Sequence, residues 1–110
     1  MDFNKYQEQC NLTAQYPKPI SSNLLYPVLG LVGETGEFCE KLKKIYRDKN
    51  GIFNEDDLVE MKKEMGDILW YLSTICTELN FDLNEVAEGN IAKLLSRKER
   101  GVIKGSGDNR

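Results

Sequence analysis

The chain has 110 residues, 40% hydrophobic and 30% charged, with a net charge of −3, a profile that fits one ordinary globular domain spanning residues 1–110. It contains no histidine. That excludes Ser-His-Asp triads, Cys-His dyads, His-ligated zinc and the Glu-x-x-His sites of di-iron bundles. Cys10, Cys39 and Cys76 form no Cys-x-x-Cys pair and read as small buried hydrophobes of a reducing cytoplasm. The acidic balance argues against duplex-DNA binding, so no nucleic-acid partner is expected. The polar start MDFNKYQEQC and the lack of any long uncharged run lead to an expectation of no signal peptide and no membrane partner.

Four helices are expected and no strands. Helix A covers roughly Asp2 to Gln15, with Phe3, Tyr6, Cys10 and Leu12 turned inward. Tyr16-Pro17-Lys18-Pro19 ends it, because proline lacks an N–H and disfavours helical geometry in the residue before it. Helix B begins near a Ser21 or Ser22 N-cap and runs to about Arg47, with the apolar stripe Leu24, Val28, Leu31, Val32, Phe38, Leu42 and Ile45. Asp48-Lys49-Asn50-Gly51 is turn chemistry. Helix C follows an Asn54 cap from about Glu55 to Asn80, with Leu58, Met61, Met65, Ile68, Leu69, Leu72, Ile75, Cys76 and Leu79 as its stripe. Asp82 and Glu85 have capping-box spacing ahead of helix D, roughly Leu83 to Arg100. Residues 101–110 form a Gly-rich basic tail. From Ile91 onward six basic residues face two acids, giving +4 and leaving about −7 for the rest.

Helix C is apolar on nearly every side between Ile68 and Cys76, including Trp70 and Tyr71. A helix apolar all round needs cover all round, and four short helices do not provide it. A helical partner is expected, most simply a second copy of the chain.

The chemistry lies in the acids. Glu34 and Glu37 on helix B, and Glu64 and Asp67 on helix C, are spaced i,i+3, which makes each pair surface neighbours. Antiparallel packing of B on C brings the pairs together. Four carboxylates then need a cation, and an all-oxygen donor set suits a hard divalent ion such as Mg²⁺ holding substrate phosphates. Each pair taken alone is also ordinary on a solvated helix. Gly33, Gly36 and Gly66 beside the acids suggest close approach by a ligand or another helix, since glycine weakens a helix interior by about 1 kcal/mol relative to alanine.

The run Gly30-Leu-Val-Gly-Glu34-Thr-Gly-Glu37, then Lys43-Lys44, then Lys63-Glu64-Met-Gly-Asp67-Ile-Leu-Trp-Tyr-Leu resembles the MazG family of all-α nucleoside triphosphate pyrophosphohydrolases. Asn90-Ile-Ala-Lys93-Leu-Leu-Ser-Arg97 and the tail to Arg110 are similar to that family's downstream helix and ending. The resemblance implies a four-helix bundle completed as a homodimer or dimer of dimers. It implies Mg²⁺, with Mn²⁺ as a substitute, held by Glu34, Glu37, Glu64 and Asp67. It implies hydrolysis of an NTP or dNTP to a monophosphate and pyrophosphate by a metal-activated water attacking the α-phosphate. By position, Lys93 and Arg97 match phosphate contacts, with Asn90 beside them and Lys104 and Arg110 as tail candidates. Glu60 stands where larger members of the family often carry a lysine. The rival expectations are a catalytically slow nucleotide-binding module on the same scaffold, or a plain helical interaction protein. Tyr6, Tyr16, Trp70 and Tyr71 are candidates for stacking on a base, and Asn23 for reading one.

Overall fold

The computed structural model describes residues 1–19 and 22–110, and among them it shows four helices and no strand. They are α1 (Phe3–Cys10), α2 (Leu25–Lys49), α3 (Glu55–Glu78) and α4 (Leu83–Glu99). None of them is long and apolar enough to cross a membrane.

Helix α1 is capped by Asp2, whose carboxylate accepts the Lys5 N–H at 2.8 Å. It stops at Cys10, five residues before the sequence expectation. Thr13 donates to the Cys10 carbonyl and accepts the Trp70 indole N–H at 3.0 Å. That tertiary tie draws the chain out of the helix and leaves Leu12 exposed rather than inward. Phe3 also remains largely exposed.

Helix α2 begins at Leu25, not beside a serine cap. Ser21 lies outside the described residues, and Ser22 instead accepts the Leu24 N–H at 3.0 Å. Pro27 is fully buried in the first turn, where its missing N–H costs the helix nothing. The helix ends at Asn50 and Gly51, both at positive φ (54° and 76°), with their N–H groups on the Ile45 carbonyl. This is the left-handed termination that asparagine and glycine favour.

Asn54 opens α3 with a complete capping box. Its side chain accepts the Asp57 N–H at 2.8 Å, and its own N–H donates to Asp57 at 3.0 Å. For α4, Asp82 accepts the Asn84 and Glu85 N–H groups, while the return contact from Glu85 is not formed. Gln7 of α1 does the remaining work at this corner. It accepts the Leu83 N–H at 2.9 Å and donates to Thr77 and the Phe81 carbonyl.

Helices α2 and α3 form the principal pair. Lys49 meets Asp57, Lys41 meets Glu60 and Glu64, and Gly30 lies against Tyr71. Descending numbers on one helix against ascending numbers on the other define antiparallel packing. Helix α1 packs on α3 and α4, and α4 makes no contact with α2.

Few apolar residues are covered. Among the described residues only Cys10, Pro27, Ile45, Cys76 and Leu83 are buried. Cys39, expected inside, is exposed. Trp70 and Tyr71 find cover within the chain, so they do not account for the apolar excess on α3. The uncovered residues are Leu58, Met65, Leu72 and Leu79, exposed by 56, 55, 41 and 40%. They recur every seven positions, which lays one continuous seam along the helix. Leu25, Val28, Leu29 and Val32 form a second exposed set on α2.

Candidate metal centre

The antiparallel register puts the two acid pairs on one interface. Carboxylate oxygens of Glu34, Glu37 and Glu64 lie within 4.8 Å of one another. Glu64 is buried, Glu34 half-buried and Glu37 exposed. Asp67 is exposed and falls outside that three-way cluster, yet its charge reaches Glu34.

The electrostatics of the group are uneven. Lys41 donates to one Glu64 oxygen at 2.8 Å and holds that carboxyl below the usual range. Glu34 is pushed the other way, to about 7. The hydrogen bond it shares with Glu64 is the first cause, followed by burial and then by the charges of Glu37, Asp67 and Glu64. Crowding by the acids thus favours the protonated form of Glu34, while the Lys41 ammonium favours the ionised form of Glu64. The second oxygen of Glu64 is buried and receives no N–H or hydroxyl donor from the chain, so only a proton shared with a neighbouring carboxyl group or a cation satisfies it. A buried carboxylate oxygen without a donor is costly. With two further carboxylates beside it, a hard divalent cation fits that orphaned position.

Gly33, Gly36 and Gly66 have open space where a Cβ would lie. Among the described residues no neighbouring atom lies within 4 Å of those positions, so the surface beside the acids is clear there. The close approach occurs at Gly30, where a Cβ would collide with the Tyr71 ring. An aromatic group borders this region. Tyr16 stacks on Tyr26 with ring centres 5.4 Å apart, and Trp70 meets Tyr71 edge-on at 5.0 Å. Burial, with smaller contributions that include the charges of Glu34 and Asp67, pushes the Tyr71 hydroxyl up. Tyr16 also donates to Glu78, which Lys18 pairs at 2.9 Å.

The basic residues are placed elsewhere. Lys93 and Arg97 lie on α4, and both engage Asp108 of the tail. Lys93 reaches its carboxylate at 2.8 Å, and Arg97 reaches the carboxylate at 2.9 Å and the backbone carbonyl at 2.7 Å. Arg97 is only 5% exposed, and its Nε has no acceptor. Arg110 donates to the carbonyls of Val102, Ile103 and Gly107, and Arg100 donates to the Arg110 carbonyl. The tail is thus folded back on α4 and tied to itself. Asn90 and Lys104 are exposed. Because α4 does not touch α2, one chain does not bring this basic set against the α2 acids.

Sequence reasoning missed two residues. Lys41 carried a usable signal, since it follows Glu37 by four positions and shares its helix face. Asp108 carried none, because its pairing depends on how the tail folds.

A four-helix protein with two Glu-x-x-Glu/Asp pairs facing across one antiparallel interface is of the all-α, carboxylate-centred class. The chain belongs to the MazG nucleotide pyrophosphohydrolase domain family, whose model matches residues 23–102. It is also similar to the gene 37 protein of Mycobacterium phage L5, with 42% identity over 114 aligned positions covering the whole of both chains. No solved structure matches it.

Proposed function

We propose that the protein is a Mg²⁺-dependent nucleoside triphosphate pyrophosphohydrolase that converts an NTP or dNTP and water to the monophosphate and pyrophosphate. The observation that carries this reading is the Glu34–Glu37–Glu64 cluster with its orphaned buried oxygen, in a chain of this family. Glu34, Glu37 and Glu64 would hold the divalent ion, with Asp67 at the outer edge. When bound, the ion supplies charge neutralisation at the phosphates and activation of the attacking water. A carboxylate of α2 accepts the proton that this water loses. The open ground beside Gly33, Gly36 and Gly66 leaves room for the phosphate chain. Lys93 and Arg97, with Asn90, Lys104 and Arg110 around them, are assigned to the phosphates.

The chain is proposed to work in the cytoplasm as a homodimer or dimer of dimers. Its accessible surface is 8136 Å², where a compact monomer of this mass exposes about 6,200 Å². Its radius of gyration is 17.1 Å, against about 13 Å for a compact 100-residue chain. The seam Leu58–Met65–Leu72–Leu79 gives a second copy a face to cover.

Asp108 already pairs with Lys93 and Arg97, so a nucleotide must displace it both in the hydrolase and in the slower nucleotide-binding alternative. A panel of canonical and modified NTPs and dNTPs with Mg²⁺ or Mn²⁺, with products separated by chromatography, tests both. Monophosphate plus pyrophosphate supports the hydrolase. Tight Mg²⁺-nucleotide binding without turnover supports the binding module. Diphosphate plus orthophosphate refutes both.

A further inference from the structure

We propose that Lys41 is the resident counter-cation of the carboxylate cluster, holding Glu64 while the divalent ion is absent and passing to Glu60 when the ion binds. This rests on the metal-site reading above and goes beyond it, since it gives the cluster a built-in exchange partner.

The geometry supplies both positions. Lys41 Nζ lies 2.8 Å from Glu64 Oε1 and 3.5 Å from Glu60 Oε2. The two acceptors are one helical turn apart on α3, so a single ammonium spans them with no backbone change. They differ in surroundings. The Glu64 side chain is 8% exposed and that of Glu60 is 51% exposed. Lys41 is therefore drawn inward by a largely buried charge, and it has a solvated acceptor already in range. Beside it opens a cavity of about 220 Å³ bordered by Lys41, Lys44, Glu60 and Met61, which gives the side chain room to move.

Charge requires the first position and excludes it once metal arrives. The carboxyl groups of Glu34, Glu37 and Glu64 lie within 4.8 Å of one another, and a buried carboxylate left without a partner is strongly destabilising. Among the described residues, Lys41 is the one cation that an ion pair places on this cluster. A divalent ion seated on the orphaned Glu64 oxygen would face the ammonium across one carboxyl group. Like-charge repulsion at that range then favours Glu60. Lys63 already donates to the other Glu60 oxygen at 3.1 Å, so Glu60 keeps one oxygen for Lys41.

A double-mutant cycle on Lys41→Gln and Glu60→Gln in the full chain tests the exchange, with thermal melting in EDTA and in saturating Mg²⁺. Lys41→Gln is expected to lower Tm in EDTA by about 4 °C or more and to lose most of that cost in Mg²⁺. The coupling between the two positions is expected to be larger in Mg²⁺ than in EDTA. A purely long-range field would leave the coupling the same in both, so equal coupling overturns the exchange, as does an equal Lys41→Gln cost in both conditions. The Lys41 ¹³Cε resonance of the unaltered protein needs no substitution: Mg²⁺ saturation is expected to shift it, and a resonance that stays in place overturns the exchange. If neither Mg²⁺ nor Mn²⁺ changes the Tm of the unaltered protein, the metal-site reading itself falls, and the exchange falls with it.

Discussion

Glu64→Gln is the substitution that bears most directly on the proposed metal centre. The side chain is 6% exposed, gives one oxygen to Lys41 and leaves the other without a donor. Glutamine keeps the volume but removes the charge that a divalent ion requires. Lys41 keeps Glu60 as an acid partner at 3.5 Å, and far-UV circular dichroism checks that the metal-free fold is retained. Metal at about one hundred times its Kd stabilises a native state by about 2.7 kcal/mol. For a chain of this size that corresponds to a rise in Tm of about 10 °C, at roughly 4 °C per kcal/mol. The expected result is that unaltered protein shows this Mg²⁺-dependent rise and Glu64→Gln shows less than about 2 °C of it. Turnover of nucleoside triphosphate is expected to fall by at least about 10²-fold. Differential scanning fluorimetry with Mg²⁺ titration and a pyrophosphate-release assay read the two arms. A variant that keeps the full thermal shift would refute the assignment of Glu64 as a ligand, whatever its activity.

Glu37→Gln and Asp67→Asn are each expected to cut turnover by at least about 10²-fold with unchanged far-UV circular dichroism, and full activity in both would remove the four-acid site. Glu34 titrates at about 7 in the folded chain, above its ordinary 4.5, so the native state binds that proton more tightly than the unfolded state does. Its contribution to stability is complete below about 4.5 and is lost as pH rises towards 7. Metal-free melts from pH 5 to 8 should show that decline, and Glu34→Gln should flatten it. Gly30→Ala places a methyl group against the Tyr71 ring and should destabilise the fold by about 1–3 kcal/mol. Gly33→Ala meets open space and should stabilise it by up to about 1 kcal/mol; urea melts that rank the two in the opposite order would contradict the α2–α3 packing. Met65→Glu with Leu72→Glu puts charges on the exposed α3 seam and should reduce the mass measured by light scattering to that of one chain. An unaltered protein that is already monomeric would refute the proposed assembly.

The acids were legible because their information is local. Three-residue spacing, one short connection and antiparallel packing are enough to bring Glu34 and Glu37 to Glu64, and each can be read from a few consecutive residues. The end of α1 was not legible, because Thr13 leaves the helix to meet Trp70, 57 positions away. The start of α2 misled for a related reason. Ser22 is a good cap by type, but its hydroxyl is used one turn early on Leu24, and the buried Pro27 sets where the helix begins. Periodicity placed Leu58, Met65, Leu72 and Leu79 on the apolar stripe of helix C, and within one chain that part of the stripe is exposed. Periodicity carries no information on which chain covers that face. Lys93 and Arg97, read from the resemblance as phosphate contacts, lie on α4, which does not pack on α2, so their position relative to the acids depends on more than local spacing.

That missing contact and the bare apolar seam bear on one another. A triphosphate needs metal on one flank and cations on the other, because its charge is too dense to bury against either alone. Within one chain the proposed metal flank lies on α2 and α3. The proposed cationic flank lies on α4, where Lys93 and Arg97 pair with the Asp108 carboxylate. Bringing the flanks together takes either a release of the tail from α4 or the approach of α4 from another copy. Only the second also covers Leu58, Met65, Leu72 and Leu79. An assembly that buries the seam while closing the site would make nucleotide binding and oligomer stability thermodynamically linked. Mg²⁺-nucleotide should then tighten the self-association of the unaltered protein measured by dilution, and Glu64→Gln should abolish that tightening.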